Sequence, residues 1–329
     1  TVGPGDGLSV AGSGGSGGTS GSNGVGGQGG PGGFAGGDGA YQLSNLASDG
    51  GAGIGPGGGL GSVAAGRVRA AGGIFFGVPE LRPLVGGSGG GGGHSLTTGG
   101  SCSGGGGGGG GGALLIAANG SVTVNGTVSA NGGGSGDRAG ASCSSNGAGG
   151  SGGAIRILAS SLTGSGSIEA AGGAGGASYS DVSDRGNAGG AGRIRLEAIT
   201  NTFAVNGTNP VAVRAPAPGP LVNPITPTVT ITGVDGKATP ASPVGHRGQI
   251  DLLVDSPGPV QIDLATTDVP AGTAIEVTAK PKIGRAPFSQ RVTLSPSACT
   301  GGGSCTAAVV FELDPGGYIL EARATFEAL

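Results

Sequence analysis

Four cysteines, two histidines and a handful of arginines carry most of the chemistry open to this chain. Cys102 and Cys143 stand 41 residues apart, while Cys299 and Cys305 flank Thr300-Gly301-Gly302-Gly303-Ser304, a hairpin-sized loop. Four cysteines allow three pairings, and the spacing favours 102–143 with 299–305. Zinc is not expected, because His94 and His246 fall in different halves of the chain and cannot complete a ligand set. Two loop-closing disulfides point to an oxidising, extracellular setting.

The remaining candidates read as structural. His94 lies inside a glycine run and His246 in Gly245-His246-Arg247; both are expected as surface side chains rather than catalytic bases. Gly236-Lys237 is followed by Ala238, so it lacks the phosphate-cradling P-loop pattern and reads as a hairpin turn. Asp38 stands in Gly36-Gly37-Asp38-Gly39, but the nine-residue period of calcium-binding repeats is missing. Asn119, Asn125 and Asn206 each open an Asn-Gly-Ser/Thr triplet that fits a glycosylation acceptor, and Asn-Gly is also a favoured turn. Arg156, Arg193 and Arg195 are expected to face outward from strands as solubilising charges. No catalytic constellation emerges, so neither an enzyme nor a cofactor is expected.

What must position these residues is a chain with 85 glycines in 329 residues. Glycine occupies positions 12, 15, 18, 21, 24, 27, 30, 33, 36 and 39 in unbroken phase. A period of three means three residues per turn, the geometry of polyproline II. Collagen would need far more proline, and 12–39 contains only Pro31. The expected structure is a pack of polyglycine-II-like helices, bonded laterally through glycine edges because each leaves its own backbone groups unsatisfied. A net charge of -3 and 35% hydrophobic residues argue against a charge-repelled coil.

A longer repeat overlies this period. Gly112–Ala118 matches Gly153–Ala159, with a degenerate third copy at Gly192–Ala198. Strand-like partners follow at Gly126–Ala130 and Gly166–Ala170, and Gly66–Gly73 is an earlier relative. A repeat near forty residues suggests stacked units that cannot bury their faces alone. Cys102 and Cys143 share its offset and are expected at equivalent places in successive coils. Residues 1–206 are thus read as a parallel β-solenoid with packed polyglycine-II helices. Residues 207–227 hold six prolines and read as a stiff linker. Residues 228–329 contain seven short apolar-alternating runs and read as an immunoglobulin-like β-sandwich. The fold class is therefore all-β.

Three pieces, 152–157, 166–173 and 189–196, resemble a motif of large glycine-rich secreted and surface proteins of bacteria, over about residues 57–200. The 12–39 stretch separately resembles the polyglycine-II bundles of snow-flea antifreeze proteins and phage tail-tip adhesins. Those resemblances imply lateral packing of three-period helices. The chain starts at Thr1 without methionine, as a processed secreted chain would. No apolar run is long enough to span a membrane. The acidic balance, 16 basic against 19 acidic residues, argues against nucleic acid. The expected function is mechanical: a subunit that self-assembles head to tail into an extracellular filament at the bacterial surface. The segment Val211, Ala212, Val213, Arg214 and Ala215 is expected to add as a strand to a neighbouring copy. An adhesin or ice-binding module, meeting a cell surface or glycan through the flat polyglycine face, is the alternative.

Overall fold

A computed structural model describes residues 1–41, 47–96, 102–140, 143–177, 184–221, 227–240, 250–283, 286–300 and 304–325. The fold is all-β, with parallel and antiparallel sheets and no barrel. It divides into an N-terminal unit running through Val222 and a C-terminal unit.

The N-terminal unit contains β1 (Gly7–Ser9), β2 (Ala113–Ala117), β3 (Ser121–Thr123), β4 (Thr127–Ser129), β5 (Ala154–Thr163), β6 (Ser167–Glu169), β7 (Arg193–Asn201), β8 (Thr208–Asn209) and β9 (Val213–Ala215). They form two sheets in the orders β1-β4-β6-β8 and β2-β5-β7-β9, with β3 beside β5. Every pairing is parallel, and the register follows the sequence repeat: Leu114 meets Ile155, Ile155 meets Ile194, and Val128 meets Ile168. Equivalent apolar residues therefore stack on one another. Strand alternation sends Ile155, Ile157, Ile194 and Leu196 to one face, where they share a core with Val128 and Ile168 of the other sheet.

Glycine segments extend these strands into a lattice. Backbone bonds recur at every third residue: the Gly24, Gly27 and Gly30 N–H groups donate to the Gly104, Gly107 and Gly110 carbonyls at 2.8–2.9 Å. Segment 103–112 is bonded to six others: 10–18, 24–30, 33–40, 86–95, 130–137 and 144–153. Segments 86–95 and 144–153 are likewise enclosed on all sides. The arrangement is that of hexagonally packed rods. A rod with six neighbours leaves little room for side chains: Gly104–Gly112 is uninterrupted glycine, and the other two enclosed segments interrupt glycine mostly with small residues such as Ser88, Ala148 and Ser151. A Cβ on Gly108 would overlap the Gly133 carbonyl oxygen. A rod at the margin, 24–30, keeps Val25 and Gln28 on its free edge, both exposed.

The C-terminal unit has β10 (Thr228–Val234), β11 (Lys237–Ala238), β12 (Leu252–Val254), β13 (Gly258–Thr267), β14 (Ala274–Pro281), β15 (Phe288–Thr293), β16 (Cys299–Thr300), β17 (Ser304–Leu313) and β18 (Gly316–Ala324). Two antiparallel sheets, β11-β10-β13-β17-β16 and β12-β18-β14-β15, enclose one core. Alternation places Ile262 and Leu264 of β13, Phe311 of β17, Ile275 and Val277 of β14 and Tyr318 of β18 inside.

The proline-dense stretch departs from its reading as a linker. Thr208 takes the register position after Ile168, as the next rung of the repeat, and Val213–Ala215 pairs with Arg195–Glu197 of the same chain. The prolines fall between and after these short strands, at 210, 216, 218 and 220, which masks the repeat in the sequence.

Candidate functional site

The two parallel sheets end in edges that pair with no further strand among the described residues. The Ala154 N–H donates to the Gly112 carbonyl at 3.0 Å, and the Ala118 N–H to the Leu158 carbonyl at 2.9 Å. Parallel pairing alternates, so Leu114 and Ile116 also face β5, while Leu115 and Ala117 turn their backbone groups outward. Leu115 is 42% exposed. At the opposite end the same parity directs the Val213 and Ala215 backbones toward β7 and leaves Arg214 outward. Its guanidinium donates to Asn201 Oδ1 at 3.0 Å and to the Ala204 carbonyl at 3.2 Å. Pro216 then removes the next outward N–H. The expected donor strand thus belongs to its own sheet and presents one further edge.

The outer face of that sheet holds a buried ion cluster that the sequence reading missed. Arg156, expected to be exposed, is 2% exposed, and Glu197 is 1%. Arg156 Nε lies 2.8 Å and Arg195 Nε 2.7 Å from Glu197 Oε1. Across this pair runs 216–221: the Gly219 N–H donates to Glu197 Oε2 at 2.6 Å, and Arg156 donates to the Pro220 carbonyl at 2.9 Å. Burial opposes ionisation of Glu197, but Arg156, the Gly219 N–H and Arg195 outweigh it and hold its carboxyl at about 2. The register Arg156–Arg195 and Leu158–Glu197 was the available signal: opposite charges one rung and one pair apart. Arg193, the third of the group, lies over the Phe75 ring at 6.0 Å.

His94 is also buried, at 0% exposure, rather than on the surface. Its Nδ1 is 2.6 Å from Ser62 Oγ, which itself donates to the Val68 carbonyl at 2.6 Å. Ser62 has one proton, already committed, so His94 Nδ1 must be the donor and Nε2 the bare lone pair. Nε2 has no partner. Burial, the main cause, pushes the imidazole below its ordinary range. A serine whose proton points away from the ring, with both side chains sealed from solvent, cannot serve as a nucleophile–base pair. Asp38 accepts from the Gly26 N–H at 2.8 Å and so works as a brace between rods. His246 lies outside the described residues.

Both disulfides join the expected partners, Cys102 with Cys143 and Cys299 with Cys305, with Cα separations of 5.6 and 3.9 Å. Among the described residues no group of three or more His, Cys, Asp or Glu side chains could hold a metal ion, and no helix is long and apolar enough to cross a membrane.

Among the described residues, each unit has a notable concavity. In the N-terminal unit a trough of about 550 Å³ runs over stacked turns, lined by Asp6, Asn125, Thr127, Ser165, Ser167 and Asn206 with glycines between them. In the C-terminal unit a groove of about 510 Å³ lies between β10 and β18, lined by Val229, Ile231, Val234, Ile250, Leu320 and Ala322 among others. Comparison with protein-family models, with curated proteins and with solved structures returned no match.

Proposed function

We propose that this protein is an extracellular structural subunit that polymerises head to tail. In this reading the N-terminal unit is a β-solenoid carrying packed polyglycine-II helices. Strand β9 of one copy adds to β2 of the next, and an immunoglobulin-like domain is attached to each subunit. The reading is carried by the unpaired parallel edges at the two ends of one sheet, at Leu115 and Ala117 and at Arg214. Such edges are templates for another chain, and a head-to-tail contact that does not close gives a filament. The contact on the β9 side is short, flanked by Pro210 and Pro216, so register is set by few residues. The immunoglobulin-like assignment is supported by the two antiparallel sheets over one core and by the Tyr318 hydroxyl, which donates to the Asp314 carbonyl at 2.8 Å.

Negative-stain microscopy and light scattering over a concentration series test this. Filaments that lengthen with concentration are expected. Leu115→Pro, which removes an outward N–H without touching a bond to β5, should leave folded monomers. Monodisperse native monomers at every concentration would overturn the proposal.

A second reading, binding through the flat side of the lattice, is favoured by the row 10–18, 130–137 and 170–176. Its outer side presents Gly14, Gly17 and Ala174, all exposed. Thermal hysteresis would identify ice as the partner.

A further inference from the structure

The trough in the N-terminal unit is built by the repeat itself. Turns preceding β4 and β6 stack so closely that a Cβ on Gly166 would overlap the Gly126 carbonyl, and one on Gly126 would overlap the Asp6 carbonyl. Glycine is demanded there by packing, and the by-product is a floor of bare peptide groups. Polar side chains rise on both sides. Thr127 Oγ1 and Ser167 Oγ, one rung apart, are 3.2 Å from each other on one rim. Asn125 also lines the trough, its Oδ1 accepting the Ser165 N–H at 3.2 Å. Asp6 lines the trough beside the N-terminal strand, with Oδ2 accepting the Gly3 N–H at 3.2 Å, and Asn206 lines it beside β8.

We propose that this trough binds a short, neutral, linear saccharide lying along the stack of turns. The chemistry of the lining selects the class. Asp6 is its only charged residue, and no lysine or arginine lines it, so phosphates, sulfates and uronates are repelled. Ala204 is the only apolar side chain and no ring is present, so an acyl chain or aromatic ligand finds no surface. What the trough offers is hydroxyls, amides and peptide groups, each able to meet a sugar hydroxyl as donor or acceptor. Rungs recur at about 4.8 Å, close to the length of one pyranose, so successive sugars of a linear chain meet successive rungs. The volume falls within the range of small-molecule sites. This inference stands whether or not the subunits polymerise.

Calorimetric titration of the full chain with neutral β-1,4-linked glucose and N-acetylglucosamine oligomers of one to six units tests it. Affinity is expected to rise about tenfold from one unit to two or three and then level off. Ser167→Ala and Asn206→Ala, both surface changes, should each weaken binding by about five- to tenfold without altering the melting temperature. Galacturonate oligomers should not bind. Absence of binding by every neutral oligomer at millimolar concentration would overturn the proposal. So would affinity unchanged in the Ser167→Ala/Asn206→Ala double variant, or a preference for the charged oligomers.

Discussion

The C-terminal unit and the glycine lattice of the N-terminal unit order an extended chain by opposite means. In the C-terminal unit, large side chains such as Phe311, Tyr318 and Ile262 fill the space between two sheets, and burial of apolar surface offsets the entropy of ordering. In the glycine lattice almost nothing fills space except backbone. Its order rests on hydrogen bonds made at every third residue and on rods close enough to exclude water. The C-terminal unit is stabilised by what its side chains occupy, the glycine lattice by their absence. The sensitivity to mutation should therefore be reversed: removing atoms harms the C-terminal core, and adding a single methyl harms the lattice.

The largest effects test that reversal directly. Phe311→Ala should cost the C-terminal unit about 3–5 kcal/mol, and Gly108→Ala should cost the lattice about 3 kcal/mol or more through backbone overlap. Calorimetry should resolve two unfolding transitions, each variant moving only one. A single transition displaced by both would break the comparison. Next come the disulfides. Loop-closure entropy assigns about 4 kcal/mol to the 41-residue Cys102–Cys143 loop and about 2 kcal/mol to the 6-residue Cys299–Cys305 loop. Paired serine variants, measured by denaturant melts, should keep that order.

A smaller effect separates two uses of glycine. Gly236 has φ +73° and open space around its missing Cβ, so Gly236→Ala should cost only about 1 kcal/mol, from backbone strain alone. The smallest concerns pH. His94 has a folded-state value below 6.5, so the unfolded chain binds the additional proton. The lattice should hold its full stability above that pH and lose it progressively as pH falls through the ordinary histidine range. His94→Gln should flatten the slope there. Glu197 shows the same sign lower down, between 4.5 and about 2.

Much of this architecture was legible in the sequence, because repeats expose themselves. The offset shared by Gly112–Ala118, Gly153–Ala159 and the cysteine pair 102–143 reappears as strand register and as a disulfide. Each of the seven apolar runs beyond residue 227 overlaps a strand. What stayed hidden depends on neighbours distant in sequence. Arg156 looks like a surface charge until Glu197 and 216–221 close over it. His94 sits in a run of glycines that resembles a flexible loop, yet that run is one of the enclosed rods. The strands at 208–215 were obscured by prolines that serve to end them. The trough showed in the sequence only as the Asn125 and Asn206 triplets, which read as turns or glycosylation acceptors and gave no sign that the fold stacks them side by side.

The crossing of Glu197 by residues 216–221 sets where force enters the N-terminal unit. A pull on the chain downstream does not begin by peeling β9 from its edge. It arrives first at Leu221, Pro220 and Gly219, which are tied to side chains rooted on two inner strands. The tension is handed to the middle of the sheet, as a rope made fast to a cleat spares the fraying end.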